Sequence, residues 1–186
     1  IPREYLARVR AFCESGHSVL LVLKDISLSG TLTALATSGP VPLRETEVNK
    51  YALLSQLDFK HPLLAPFNEP RFSDFTKIHF WKHRDLDPVR LPGAHVVARF
   101  DDGAPALVDL PIGRGHLFVL TSGWHPTDSQ LALSSKFVPL LYSMMELGSS
   151  RPWRDAMEIM TGARDFDAGP LVRYFEPLIK LSLIHI

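Results

Sequence analysis

The sequence has a single cysteine, no excess of either charge and no long apolar run. Cys13 is the only cysteine in 186 residues, which excludes an internal disulfide. Twenty Lys and Arg residues balance twenty Asp and Glu residues, so no bulk charge favours nucleic acid and we expect no nucleic-acid partner. No segment reaches the ~20 consecutive apolar residues of a transmembrane helix. We therefore expect no direct membrane insertion by this chain.

The two ends indicate a fragment of a longer protein. The chain starts at Ile1 rather than Met, where the pattern already predicts a helix. The last six residues, LSLIHI (181–186), match the translation of a transposon end used in sequencing libraries, and we expect them to be a non-native tail. Residues 149–180 are weakly patterned and are expected to begin a further module or extension. Residues 1–148 are expected to form one partial α/β domain.

Apolar periodicity predicts the first half of the domain. A helical stripe of Tyr5, Leu6, Val9, Phe12 and Cys13 marks a helix over residues 3–15. The short apolar run HSVLLVL that follows is typical of a strand covered on both faces, as in a parallel sheet. Residues 28–36 are predicted to form a short helix within a loop. Residues 51–59 are predicted to form either a strand or a short helix, and residues 75–86 are predicted to form a strand.

The second half predicts an antiparallel meander followed by a helix. Three apolar runs between residues 94 and 122 are joined by the turns DDG and PIGRG, whose glycines are typical of hairpins. The apolar spacing from Phe137 to Leu147 then predicts a helix, with Ser134 or Ser135 as its N-cap and Gly148 at its end. The polar loop between the meander and this helix holds His125 and Asp128.

These segments resemble a known family in their order. The motifs are HPLLAPFNEPRFSDFTKIHFWKHRDL, VVARFDDGAPALVDLPIGRG and GRGHLFVLTSGWHPTDSQLALSSKFVPLLYSMMEL. Together they resemble the glutamine amidotransferase-like domain of bacterial membrane-anchored proteins that carry an aerotolerance-regulator (BatA-type) segment and often a von Willebrand factor A domain. The resemblance implies a flavodoxin-like three-layer α/β sandwich, truncated at its N-terminus. It also implies a non-catalytic domain displayed outside the bacterial cytoplasmic membrane.

The candidate nucleophiles argue against acyl transfer. An active amidotransferase needs a cysteine on a sharp strand-to-helix turn beside a histidine. Cys13 instead lies inside the first predicted helix on its apolar face, and we expect a buried structural thiol. Ser27 and Ser29 follow the first strand without the Gly-x-Ser-x-Gly pattern. We therefore predict no catalytic residues and no cofactor.

The loop after the last strand is the candidate ligand or partner site. In active members of the resembling family a histidine follows the corresponding strand, and this implies a place for His125. An imidazole is suited to general-base chemistry, and Asp128 is the neighbouring carboxylate. The alternative is a polar loop in which Trp124 packs on the domain edge and Thr127 or Asp128 caps a turn. Open α/β sheets place their clefts at such strand ends.

His79 and His83 are the candidate metal ligands. They have the spacing of helical zinc ligands, but on a strand they lie about 13 Å apart, so no metal is expected.

The sequence leaves three functional hypotheses. The first is a non-catalytic binding or scaffolding domain whose partners are proteins or neighbouring domains of its own chain. The second is a hydrolase or sugar-related enzyme of the trehalose-utilisation (ThuA-like) type that uses His125 and Asp128. The third is a purely structural module.

Overall fold

The computed structural model describes residues 3–36 and 39–147. Three helices and seven strands lie in these ranges, and short 3-10 turns connect them. The helices are α1 (Arg3–Glu14), α2 (Ser29–Ala36) and α3 (Phe137–Leu147). The strands are β1 (Ser18–Val22), β2 (Leu43–Glu45), β3 (Leu54–Leu57), β4 (Arg84–Leu86), β5 (His95–Phe100), β6 (Pro105–Ile112) and β7 (Gly115–Leu120). The predictions for Gly148, residues 149–180 and residues 181–186 lie outside the described residues.

A five-stranded sheet forms the centre of the domain. Its strand order is β1-β7-β6-β5-β3, in which β1 and β7 are parallel and every other neighbouring pair is antiparallel. The predicted meander is confirmed, because β5, β6 and β7 pair in sequence. Its two turns hold Gly103 and Gly113 at φ +87° and +62°, a left-handed conformation that glycine adopts without a steric cost.

The sheet carries one apolar cluster on each face. Alternate residues of β7 point to opposite sides, so that Phe118 joins one cluster and Val119 joins the other. Leu140 and Met144 of α3 pack into the first cluster. Leu6 of α1 and two leucines of α2, Leu32 and Leu35, pack into the second. The mixed α/β class with helices on the sheet is therefore confirmed.

The predicted helices are found, but their buried faces are narrower than the apolar stripes. In α1, Leu6 and Cys13 are buried, whereas Tyr5 and Phe12 are largely exposed. Helix α3 begins at Phe137, just after Lys136, whose backbone N–H donates to the Ser134 hydroxyl. The segment 51–59, for which both a strand and a helix were open, forms β3.

The prediction of a strand over residues 75–86 is wrong. Only Arg84–Leu86 is a strand, and it pairs with β2, a three-residue strand that the sequence pattern does not reveal. Phe80 makes isolated bridges to Ala52 and Ser129. The alternation in this segment reflects the burial of Ile78 and Phe80 in the first apolar cluster, a packing requirement that an irregular backbone also satisfies.

Candidate functional site

The carboxyl ends of β1 and β7 meet at one edge of the sheet, where α/β folds commonly bind ligands. Arg84 occupies this edge. Its backbone N–H donates to the carbonyl of Thr121, directly after β7. Its guanidinium Nη1 donates to the carbonyl of Leu23, directly after β1, at 3.1 Å. One arginine therefore joins the ends of both parallel strands.

The Arg84 guanidinium is held by two carboxylates. Its Nε and Nη2 atoms each donate to Glu45 at 3.0 Å, a bidentate geometry, and Nη1 lies 3.5 Å from Oδ2 of Asp128. The pairing of β2 with β4 places Glu45 directly opposite Arg84. The Arg84 side chain is only 4% exposed. This network fills the position at which a cleft was expected.

The loop that follows β7 is tied to the segment before β4. The carbonyl of Asp128 accepts the backbone N–H groups of Trp81 and Lys82 at 2.8 and 3.2 Å. The Ser122 hydroxyl donates to the carbonyl of Lys82, and the Ser129 hydroxyl donates to the carbonyl of Gly123 within the loop. These bonds fix the loop and bring Trp81 beside it.

The structure separates His125 from the carboxylate of Asp128. His125 is exposed, and its Nδ1 lies 2.9 Å from Oγ1 of Thr127 and accepts the Thr127 backbone N–H. The largely buried Asp128 carboxylate faces Arg84 and Lys82 instead. The Thr127 hydroxyl donates to Asp128 at 3.3 Å, so Thr127 stands between the two.

Trp124 lies at the rim of this loop. Its ring meets Phe137 of α3 edge-to-face, with the centroids 5.5 Å apart, and the residue is 41% exposed. Trp81, on the adjoining segment, is 36% exposed. The predicted packing of Trp124 at the domain edge is therefore observed. The loop presents an imidazole and one partly exposed indole, the adjoining segment presents a second indole, and the carboxylate of Asp128 is internal.

Cys13 lies at the opposite end of β7 from His125. The thiol is 2% exposed, and burial is the main cause that raises its pKa, with the charge of Glu14 adding to it. The carbonyl of Cys13 contacts Gly115 at the start of β7, and His125 follows the end of that six-residue strand. About 17 Å of strand separates these two positions. The prediction that Cys13 is buried on the apolar face of the first helix is confirmed.

A second group of polar residues, which the sequence reasoning missed, crosses the middle of the sheet. Asp109 of β6 is buried and takes two imidazole partners: His61 Nε2 at 3.1 Å and His116 Nδ1 at 2.9 Å. His95 stacks on His61 with a centroid distance of 5.2 Å and contacts Asp58 at 2.8 Å. The available signal was Asp109 itself, since it is the single charged residue of strand β6.

The hydrogen bonds of His61 determine its tautomer. Its Nδ1 accepts the backbone N–H of Leu63, so the proton of the neutral ring lies on Nε2 and is donated to Asp109. Burial lowers the pKa of His61, which outweighs the attraction of Asp109, and His95 lowers it further. The neutral ring therefore fits this site, and it satisfies a buried carboxylate without an ion pair.

His79 and His83 have different surroundings. His79 stacks on Tyr51, whereas His83 is fully buried against the ring of Phe100. His83 Nε2 lies 3.0 Å from Asp102 Oδ2, within ion-pair range, but neither ring nitrogen has a well-directed hydrogen bond. Burial lowers the pKa of His83. Within residues 3–36 and 39–147, no three His, Cys, Asp or Glu side chains are grouped to bind a metal.

No helix within residues 3–36 and 39–147 combines the length and the apolar character that are needed to cross a bilayer.

Two solved structures share the fold of this chain. The cytoplasmic protein STM3548 of Salmonella typhimurium aligns with a TM-score of 0.58 and 15% identity, over 78% of this chain and 61% of that one. The cytoplasmic protein STM1381 of Salmonella typhimurium LT2 aligns with a TM-score of 0.57 and 14% identity, over the same shares. At these identities the alignments show likeness of fold. The chain spans about three fifths of each structure.

Sequence similarity points to a different group over a short stretch. The family model of angiotensin-converting enzyme matches residues 127–183. Angiotensin-converting enzyme of Bos taurus is 42% identical over 40 residues, and the inactive angiotensin-converting enzyme-related protein of Caenorhabditis elegans is 45% identical over 48 residues. This chain spans 3% and 5% of those two proteins. The matched stretch contains no histidine, so it lacks the His-Glu-x-x-His pattern of helical zinc peptidases.

Proposed function

We propose that this chain is a non-catalytic binding or scaffolding domain with a flavodoxin-like, glutamine amidotransferase-like fold. One observation carries the proposal: Arg84 fills the edge at the carboxyl ends of β1 and β7. A catalytic cleft at this edge would need space for substrate beside His125. The Arg84–Glu45–Asp128 network occupies that position, and the buried guanidinium of Arg84 is already paired with both carboxylates.

The partners we propose are proteins or neighbouring domains of the same chain. Trp124 lies on the fixed loop, Trp81 lies on the segment that is hydrogen-bonded to that loop, and both remain partly exposed. Tryptophan is enriched among the residues that dominate binding energy at protein interfaces. The parent is proposed to be a BatA-type, von Willebrand factor A-associated protein of the bacterial cytoplasmic membrane, with this domain on its extracytoplasmic side. These assignments rest on the sequence resemblance.

The competing function is a hydrolase or sugar-related enzyme in which His125 acts as a base oriented by Asp128. Such a base needs a carboxylate within hydrogen-bond reach of its ring. Here the ring of His125 contacts Thr127, and the carboxylate of Asp128 faces Arg84. The geometry favours the binding domain over this enzyme.

Co-purification with the intact parent protein tests the proposal. Trp124→Ala and Trp81→Ala should each reduce the amount of partner recovered. The same reduction in binding should be seen when each purified variant is mixed with the purified partner. Tyr5→Ala is the matched control, because Tyr5 is an exposed aromatic residue of α1. Equal recovery with all three variants would contradict a partner site at this loop and would leave the purely structural module.

A hydrolase screen of the intact protein provides the second arm. His125→Ala should leave every detected activity unchanged, since the ring of His125 bonds to Thr127 of its own loop rather than to a carboxylate. Asp128→Asn keeps the shape of the side chain and serves as the companion variant. An activity that both substitutions abolish in folded protein would overturn the proposal in favour of the enzyme.

A further inference from the structure

A cleft of about 450 Å³ lies between residues 71–78 and residues 130–136, just before helix α3. Its volume is in the range of small-molecule sites. Three cationic side chains line it, from Arg71, Lys77 and Lys136, together with one carboxylate, Asp74. The cleft therefore carries an excess of two positive charges on a chain whose formal net charge is zero.

The carboxylate of Asp74 is engaged locally. It accepts the backbone N–H of Thr76 at 3.0 Å and the Thr76 hydroxyl at 2.6 Å. These bonds lower the pKa of Asp74, and the nearby charges of Lys77 and Lys136 lower it further. Among the ion pairs of the described residues, none includes Lys77 or Lys136. Within the described residues, neither ammonium charge is therefore neutralised by a direct ion pair.

Aromatic residues position two of the cations. Lys136 Nζ donates to the carbonyl of Phe72 at 2.6 Å and lies 5.6 and 5.5 Å from the ring centroids of Phe72 and Phe75. The Arg71 guanidinium lies 4.5 Å from the Phe72 ring and pairs with Glu69, which is exposed. Holding a long cationic side chain in place lowers the entropy that binding would otherwise cost.

The rest of the lining combines polar and apolar groups. Gln130, Ser134 and Ser135 contribute amide and hydroxyl groups, and Ile78 and Leu133 contribute hydrocarbon surface. Helix α3 begins directly after the lining residue Lys136, so the positive end of its dipole lies next to the cleft. From the two lysines, the volume of the cleft and its mixed lining, we propose that the cleft binds a small organic anion with a phosphate or carboxylate head and an apolar body.

Titration calorimetry with matched probes tests the proposal on the full chain. Phenyl phosphate, benzoate and benzyl alcohol share an aromatic body and differ in charge. Phenyl phosphate should bind with a dissociation constant on the order of 1 mM, benzoate more weakly, and benzyl alcohol without saturation. The order of the two anions tells whether a phosphate or a carboxylate head is preferred. Binding of benzyl alcohol as tight as that of phenyl phosphate, or no saturable binding by either anion, would overturn the proposal.

Charge-matched variants locate the site. The double substitution Lys77→Met with Lys136→Gln should weaken phenyl phosphate binding by at least about ten-fold, and glutamine keeps a donor for the Phe72 carbonyl. The control is Lys24→Met with Lys60→Gln, which removes the same charge from exposed positions elsewhere. Equal weakening in the control would overturn the site. If the double variant does not fold, Lys77→Met alone is compared with Lys24→Met.

Anion binding at this cleft is independent of partner binding at the Trp124 loop. Lys77 and Lys136 lie outside the Trp124 loop, and the probes are small molecules. Loss of anion binding and loss of partner binding are therefore measured by separate variants, and either result can fail while the other stands.

Discussion

The Nε2 atom of His61 lies 3.1 Å from Oδ2 of Asp109, inside the protein. The neutral ring donates to the carboxylate, and its other nitrogen accepts the Leu63 N–H. Protonation of His61 would break the bond from Leu63, because Nδ1 would become a donor. The loop that follows His61 carries Leu63, Leu64 and Phe67 into the apolar core. The charge state of one imidazole is thus coupled to the packing of this loop.

We predict that stability falls as the pH drops below about 6.5, the ordinary pKa of histidine. Burial lowers the pKa of both His61 and His83 in the folded protein. As the pH falls, these histidines are therefore protonated in the unfolded chain before they are protonated in the folded protein. The free energy of unfolding decreases until the pH reaches the pKa values of the folded state. The slope is at most about 1.4 kcal/mol per pH unit for each histidine. Urea unfolding of wild type and His61→Gln between pH 7.5 and 5 checks this. An unchanged slope in the variant would contradict the role of His61.

We predict that Arg84→Met destabilises the domain by about 3–5 kcal/mol. The largely buried Asp128 carboxylate would lose its nearer cation and be left with Lys82 at 3.8 Å, and the Leu23 carbonyl would lose its donor. Arg90→Met is the control, since Arg90 is half-exposed. This substitution removes an ion pair between two half-exposed side chains, in which Arg90 Nε lies 3.7 Å from Asp87 Oδ2. Its effect should stay within about 0.5 kcal/mol. Guanidinium unfolding measures both. Adding Asp128→Asn to Arg84→Met should recover part of the loss, and an additive result would argue against the pairing.

We predict that Leu140→Ala costs about 2–5 kcal/mol, whereas Met145→Ala changes stability by less than about 0.5 kcal/mol. Leu140 is 5% exposed and packs on the sheet, and Met145 on the same helix is 60% exposed. Thermal and chemical denaturation compare them directly. Similar effects at the two positions would mean that α3 does not bury this face.

We predict opposite effects of two glycine-to-alanine substitutions. A Cβ atom at Gly115 would lie 2.1 Å from the carbonyl oxygen of Cys13 and 2.3 Å from that of His17. Because both are backbone atoms, Gly115→Ala should cost about 1–3 kcal/mol or more. Gly30 in α2 has open space around it, so Gly30→Ala should stabilise the domain by up to about 1 kcal/mol. Melting temperatures of the two variants should move in opposite directions.

We predict that Cys13 reacts with iodoacetamide only when the domain unfolds. The thiol is buried and burial raises its pKa, so the reactive thiolate is scarce in the folded state. Cys13→Ser should cost about 1–3 kcal/mol through a buried hydroxyl. Mass spectrometry after alkylation with and without denaturant provides the measurement. Rapid labelling of the native protein would indicate an open site around this residue.

Periodicity predicted the elements that pack on the sheet. The spacing of apolar residues in α1 and α3 and the glycines of the β5–β6–β7 turns were sufficient, because these signals are local. Periodicity failed for residues 75–86, since alternating burial does not require a strand. It also missed β2, which has three residues and is recognised only through its pairing with β4.

The candidate site was only partly predictable. The sequence places His125 and Asp128 three residues apart, and proximity along the chain made them look like a pair. Their roles differ because Arg84, which lies 44 residues before Asp128 in the chain, binds the carboxylate. Likewise His61 and Asp109 are separated by 48 residues. Contacts of this range depend on how distant segments pack together, which single-sequence patterns do not encode.

The Arg84 network also bears on the kinetics of folding. Arg84 binds a carbonyl 61 residues earlier and a carboxylate 39 residues earlier in the chain. Such distant contacts form only after long loops have closed, whereas the β5–β6–β7 hairpins need only neighbouring residues. We therefore expect Arg84 to contribute little to the transition state of folding. Its loss should speed up unfolding much more than it slows refolding, so this arginine would set the lifetime of the native state.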